Sequence, residues 1–369
     1  MIDPFPKAAL IMTYLEFKDG TSHKFWQIEL EGASFTVTYG RIGTAGQAKT
    51  TTCESPEKAA KEHDKLVGEK TRKGYVEVAQ ASEKKTSRRL AVSYDEGEEG
   101  KTLLSKMEAF LDSDAAATTD SLVLASWEEP HENSPQAALD LLCEKAARLP
   151  KLTDLVVGAM DSEECEISWI IQADYTRVFA ALPGLQSLRI QGSSSLVLST
   201  TAIAHENLHT LVIRCGGMPK DVLACVAKAK LPRLEHLELY LGMEDYGFNG
   251  SIEDVRPFFA KGLFPSLKYL GLSDSCIADE VATGVATAPV LEQIETLDLS
   301  QGSLSDAGGR ALLDSPLVKG LKKLDLHYHY LSTEMMKEFK ASGLNVDVSD
   351  QQKGDEDDDQ TYRYPAVGE

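Results

Sequence analysis

The sequence predicts an α/β protein in two parts: a small α+β domain, then a horseshoe of stacked repeats with parallel strands inside and helices outside. Three observations carry this. A unit LxxLxL recurs seven times, starting at residues 152, 185, 208, 234, 267, 294 and 321. Period-two alternation of apolar and polar residues begins at residue 23, and the strand pattern gives way to one amphipathic helical stretch after residue 55. Between the two lies a charged segment with few apolar residues. The implied division is a first domain at 1–80, a charged linker or hinge at 81–114, the repeat domain at 115–349, and an acidic tail at 350–369 that reads as disordered.

In the first domain, HKFWQIELEG alternates into a strand ending at Gly32, and SFTVTYGRIG forms a second with Phe35, Val37 and Tyr39 on one face. Gly32, Ala33 and Ser34 make the hairpin turn. AKTTTCES is a third, threonine-rich strand. The helix that follows has both end signals: Ser55 as N-cap, Pro56 at the first helical position, and Lys70, Arg72, Lys73 and Gly74 at its end. Trp26 shares a strand face with Ile28 and Leu30, which places it in the core.

In the repeat domain the leucines at positions 1, 4 and 6 of each unit point inward, and stacked neighbours close one continuous core. Unit starts are 33, 23, 26, 33, 27 and 27 residues apart, with helical stretches such as SDAGGRALLDSPLVKG between them. SLVLASWEEP, at 121–130, reads as the strand that begins the stack. This pattern resembles the leucine-rich repeat family, ribonuclease-inhibitor type. That family places Asn or Cys at position 9, where the side chain bonds the turning backbone. Here the position holds Ser193, Gly216, Gly242, Ser275, Gly302 and His329, which implies glycine turns in place of a polar ladder.

The first domain carries its own resemblance. KFW (24–26), YGRIGTAGQ (39–47), SPEKA (55–59) and EKTRKGY (69–75) occur in the order found in the WGR domain family. That family occurs in poly(ADP-ribose) polymerases, where it contacts DNA ends, and in bacterial proteins, including a group fused to leucine-rich arrays. The polymerase catalytic domain has no counterpart in this sequence. The family's named tryptophan is Tyr39 here; tyrosine keeps an aromatic face but has less ring area and no indole N–H.

Charge separates the two halves. Residues 1–80 are neutral, with 11 bases and 11 acids; 81–90 carry +3; the rest holds −23 within a total of −20. A field of that sign repels nucleic acid and attracts a basic partner. Contact candidates in the first domain are therefore Tyr39, Arg41, Lys49, Lys70, Arg72 and Lys73, which would serve nucleic acid through residues 1–90 or a protein. Arg41 reads equally as a fork satisfying carboxylates or carbonyls within its own domain, and Lys70, Arg72 and Lys73 as complements of the helix dipole. Gly40, Gly43 and Gly46 read as turn residues, since no helix follows them to cradle a phosphate.

On the repeat array, positions 2, 3 and 5 are expected to face the concave surface. Glu235, Glu238, Glu295 and Asp298 form an acidic group there, beside Tyr269. The stretch YLGMEDYGF, containing Tyr240 and Tyr246, reads as a long loop suited to a partner. The six cysteines, Cys53, Cys143, Cys165, Cys215, Cys225 and Cys276, are scattered and read as reduced structural thiols. His327-Tyr328-His329 reads as an exposed strand end, not a metal site. No P-loop, GxSxG or metal-ligand spacing occurs. The sequence thus points to a non-enzymatic adaptor without cofactor or metal. No run approaches the ~18 residues of a membrane span, and no secretory signal opens the chain, so a cytoplasmic location is expected.

Overall fold

A computed structural model describes residues 11–19, 22–31, 33–41, 47–53, 55–73, 75–77, 85–357 and 360–367. The chain divides into two compact units, Met1–Lys85 and Thr86–Glu369.

The first unit is a five-stranded antiparallel sheet with order β4-β3-β2-β1-β5. Its strands are β1 (Ile11–Asp19), β2 (Ser22–Glu31), β3 (Ser34–Arg41), β4 (Gln47–Thr52) and β5 (Val76–Glu77). β1 is not evident from sequence because apolar residues fall at both parities of Ile-Met-Thr-Tyr-Leu-Glu-Phe, which hides the alternation. Thr13 and Leu15 face the interior. Helix α1 (Pro56–Arg72) begins as expected: the Ser55 side chain accepts the Lys58 N–H at 3.3 Å, with Pro56 in the first turn. Its Ala59, Leu66 and Val67 pack on Leu15, Trp26, Ile28, Leu30 and Phe35. Trp26 is a core residue, only 3% exposed. Gly40 is no turn residue: it lies within β3, paired with Phe25. Gly43 and Gly46 lie outside the described residues.

The second unit is built on a ten-stranded sheet in unbroken sequence order, every ladder parallel. It comprises β6 (Ser87–Leu90), β7 (Ser121–Leu124), β8 (Asp154–Val157), β9 (Ser187–Gln191), β10 (Thr210–Arg214), β11 (His236–Gly242), β12 (Tyr269–Ser275), β13 (Thr296–Asp298), β14 (Lys323–Asp325) and β15 (Val346–Asp347). Helices return the chain on the other side, among them Gln136–Glu144, Lys220–Ala227, Ala278–Val285, Asp306–Asp314 and Thr333–Ala341. Aliphatic residues at positions 4 and 6, leucine in all but Val157, Ile190 and Ile213, are buried from Leu155 to Leu326 and form one core with those helices. This is the expected horseshoe.

Two boundaries move. Residues 86–114 are not a linker. β6 pairs with β7 and precedes it as the edge of the sheet, and Leu103–Asp112 is a helix whose Leu103, Met107, Phe110 and Leu111 enter the core. The segment looked charged because its apolar residues are few and concentrated. The Arg88 guanidinium lies over the Phe110 ring at 6.0 Å, so a cation covers this end of the core. The tail is also ordered where described. Asp355–Asp357 and Gln360–Tyr362 form a hairpin, and Val367 is buried against the arc.

Position 9 is mixed, not empty. The buried Ser193 hydroxyl donates to the Gly217 carbonyl at 2.7 Å; the Ser275 hydroxyl accepts the Ile277 N–H at 3.1 Å; His329 Nδ1 accepts the Leu331 N–H at 3.1 Å. His329 is fully buried, so the HYH stretch is not an exposed strand end, and burial lowers its pKa. Gly242 shows why glycine serves elsewhere. Its φ is +70°, and a Cβ there would fall 1.8 Å from the Gly216 carbonyl oxygen.

Candidate partner-binding surfaces

The first-unit candidates gather about Trp26. Tyr39 is its cross-strand partner on β3, and Gln47 pairs with Tyr39 on β4. Tyr39 is 47% exposed, its hydroxyl 3.4 Å from Gln47 Oε1. Lys49, two residues along the edge strand and therefore on the same face, is exposed. Lys70 is different from the other cations. Its ammonium lies 5.4 Å from the Trp26 ring centroid and 5.1 Å from that of Tyr75, and burial, with Lys73 nearby, lowers its pKa. Lys70 is thus a packing residue whose charge is directed onto two rings. Arg72 and Lys73 at the helix end are exposed. Arg41 pairs with Lys24 along the backbone; its side chain lies outside the described residues.

On the arc, the strands start at position 3, so position 2 does not face the sheet surface. Glu235 and Glu295 stand at the strand entrances, each paired at 2.9 Å with the lysine of the next repeat, Lys268 and Lys322. They are half-buried rungs along one rim, separate from Glu238 and Asp298. The surface opposite the leucines is made by positions 3, 5 and 7. There the His236 and Tyr269 rings stack at 3.9 Å, and His236 Nε2 lies 3.1 Å from Glu238 Oε2. The Tyr269 hydroxyl donates to Asp298 Oδ2, and the Ser300 N–H donates to Asp298 Oδ1 at 2.8 Å. On the next strand, Asp325 takes His327 Nδ1 and Lys323 Nζ, both at 2.8 Å.

The two aspartates diverge electrostatically. Burial, then the neighbouring Asp325 charge, raises the pKa of Asp298. Asp325 also feels burial, but the His327 bond and Lys323 outweigh it and hold Asp325 below the usual range. The bond to Asp325 in turn raises the pKa of His327. Arg214 lies over the Tyr240 ring at 5.6 Å, and Gln301 Nε2 donates to the Tyr240 hydroxyl at 3.3 Å.

The expected aromatic loop is not one. Tyr240 is a buried residue of β11, Phe248 belongs to the core, and Tyr246 ends a short 3-10 turn, half-buried. The structure therefore unites Glu238, Tyr240, Tyr269 and Asp298 and leaves Glu235, Glu295 and Tyr246 on the margins. It adds Arg214, His236, Lys323, Asp325 and His327. Extending the outward parity to position 7 would have found Arg214 and His327.

All six cysteines are free thiols; Cys215 is buried and its pKa is pushed up to about 12 by that burial. Among the described residues there is no group of three or more His, Cys, Asp or Glu placed to hold a metal, and no helix long and apolar enough to cross a membrane.

Comparison with known proteins follows these two units. The WGR domain family matches residues 12–82. A crystal structure of a Bacteroides fragilis protein is similar to the chain at 36% sequence identity and a TM-score of 0.72, over 97% of this chain and all of that one. In Escherichia coli K12, Protein YehF is 22% identical over 234 residues, covering 56% of this chain and 84% of YehF. "Uncharacterized protein YfeS" of the same organism is 41% identical over 61 residues, 16% of this chain and a quarter of YfeS's own length.

Proposed function

The chain belongs to the family of the Bacteroides fragilis protein, a bacterial group containing the WGR domain, and from that premise we propose that it is a non-enzymatic adaptor. The arc binds a protein through a basic face, and the WGR domain supplies a second contact. The observation that carries this reading is the row of position-5 acids, Glu238, Asp298 and Asp325, on β11, β13 and β14, set beside the stacked His236 and Tyr269. A rigid sheet holds them, Glu238 half-buried and Asp298 and Asp325 buried and already bonded, so a partner cation meets Glu238 within an arranged acidic setting with little ordering needed on this side. Aromatic faces among acids suit arginine. The test is a photo-crosslinking residue at Thr296, among these side chains, compared with one at Arg310 on a returning helix, in the full chain expressed in a bacterial cell. A protein species captured from Thr296 alone, and lost in Glu238→Gln/Asp325→Asn, supports the reading. Equal capture from both positions, or no response to the neutralised pair, refutes it.

A second reading, nucleic acid bound through the WGR domain, is favoured by one observation: Tyr39 is exposed beside Lys49, with Arg72 and Lys73 exposed at the end of the same domain's helix. Stacking on such a ring is worth about 1–3 kcal/mol per base. Binding of a labelled duplex and a labelled single strand by the full chain, wild type against Tyr39→Ala, tests it.

A further inference from the structure

The strand exits of the last repeats carry a ledge that is already occupied. Position 8 takes a left-handed backbone at Asp274 (φ +54°), Gln301 (φ +64°) and Tyr328 (φ +55°) in three successive repeats. The segment 364–367 crosses these exits. The Tyr330 hydroxyl accepts the Tyr364 N–H at 3.0 Å and donates to the Tyr364 carbonyl at 2.9 Å. The Gln301 carbonyl accepts the Ala366 N–H at 2.8 Å, and Asp274 Oδ1 accepts the Val367 N–H at 2.8 Å. Pro365 and Val367 are buried, whereas Tyr362 and Tyr364 are each 43% exposed. Recognition therefore works through backbone groups and two small apolar side chains at alternate positions, the manner in which an extended peptide is read.

Two features say that this occupant is not a perfect fit. Asp274 is wholly buried, yet its Oδ2 has no hydrogen-bond partner among the described residues. Burial pushes the pKa of the Asp274 carboxyl well up, and an unsatisfied buried polar oxygen is expensive, so the ledge has a place for one more polar partner than the segment supplies. The segment also follows five consecutive acids, residues 355–359, in a region already strongly negative. Like-charge repulsion works against holding that stretch close to the arc.

From these contacts we propose that the ledge formed by Asp274, Gln301 and Tyr330 is a recognition site for an extended protein segment of the type proline, small residue, β-branched residue, and that residues 364–367 are its resident, displaceable occupant. The chain then regulates its own access to a partner segment. This site lies at the strand exits and takes an uncharged peptide. It is separate from the acidic row assigned above to a basic face, so either assignment stands or falls without the other.

The test uses the full chain and a fluorescein-labelled synthetic peptide, QTYRYPAVGE, which is the chain's own residues 360–369. Val367→Asp and, separately, Ala366→Pro weaken the resident segment without altering the ledge; the second removes the N–H donated to Gln301 and stiffens the backbone around it. By fluorescence anisotropy each variant should bind the probe at least about tenfold more tightly than wild type, since the probe no longer competes with a tethered occupant. Adding Tyr330→Phe to either variant should weaken probe binding by about tenfold or more, the effect of losing two neutral hydrogen bonds, and a scrambled peptide should not bind. Equal affinity for wild type and both variants, absence of binding to both variants with circular dichroism unchanged, or indifference to Tyr330→Phe would each overturn the proposal. The Thr296 crosslinking result is unaffected by any of these outcomes.

Discussion

If the WGR domain holds nucleic acid, the salt dependence of binding counts the cations that reach it, and the structure sets that count. Five cations were legible in sequence, but Lys70 is committed to the Trp26 and Tyr75 rings. Lys49, Arg72 and Lys73 are exposed, and Arg41, a contact candidate from sequence alone, would make a fourth. For duplex DNA the logarithm of the binding constant falls by about 0.9 per phosphate neutralised for each tenfold rise in salt, a slope near −3.6 for four cations and near −4.5 for five. Between about 50 and about 200 mM salt, four contacts give a loss of roughly 150-fold and five roughly 500-fold. The assay is a fluorescence titration of a labelled duplex with the full chain at several salt concentrations. Arg72→Ala/Lys73→Ala should reduce the slope by about 1.8, while Lys70→Met should leave it nearly unchanged. A slope that drops by about 0.9 on Lys70→Met would refute the assignment of Lys70 to packing. No binding at the lowest salt would remove the nucleic-acid reading altogether.

Lys70→Met tests the same residue from the other side: loss of a partly exposed cation over aromatic rings should lower the first unit's stability by about 0.5–1 kcal/mol, less whatever the methionine regains by packing. Gly242→Ala should destabilise the second unit by roughly 3–5 kcal/mol, because a Cβ at φ +70° would meet the backbone of the neighbouring repeat; chemical denaturation with unchanged stability would show that the turn can shift. The arc should be most stable on the acid side of neutrality. His327 has its pKa raised by Asp325, so its contribution is complete below about 6.5 and is lost as pH rises through the raised value. Asp298, raised by burial, becomes a liability as pH rises above about 4 through its own raised value, which has the same sign. Asp325, lowered, loses its contribution only as pH falls below about 4. Buried His329, its pKa lowered, has the opposite sign and gains only up to about pH 6.5, so melting temperatures should decline from about pH 7 to about pH 8, and His327→Gln should flatten that decline; a rise over the interval would contradict the assignment.

The repeats were legible because the leucine period is long-range and redundant: seven copies report the same packing, so no single departure hides it. The edges were not legible for the opposite reason. β6 stands at the end of the stack with a partner on one side only, and it is covered by Arg88 over Phe110 instead of by another row of leucines. A terminal strand needs fewer apolar residues than an internal one, so its sequence resembles a linker. β1 was hidden differently, by apolar residues at both parities. Position 9 misled by residue type: serine and histidine make the backbone bond that asparagine makes in the family, through a shorter hydroxyl or a ring nitrogen.

Site residues were legible where side-chain parity decides exposure, and illegible where a partner decides it. Glu238 and Asp298 follow from alternation along a strand. That Glu235 and Glu295 spend their charge on lysines of the next repeat depends on register between strands about 30 residues apart. Lys70 looked like Arg72 and Lys73 in a basic run; only the fold places Trp26 and Tyr75 under its ammonium. The same argument applies most strongly to residues 364–367. In sequence, an acidic run dominates the tail and implies repulsion and disorder, since composition averages over the charged residues. The binding is done by backbone N–H groups and two small side chains, which composition does not register, and their acceptors are a buried carboxylate, a main-chain carbonyl and a phenol drawn from three different repeats. A recognition segment of this kind is found by asking where each backbone donor goes. Applied to the tail, that question leads to Asp274 and its unmatched Oδ2.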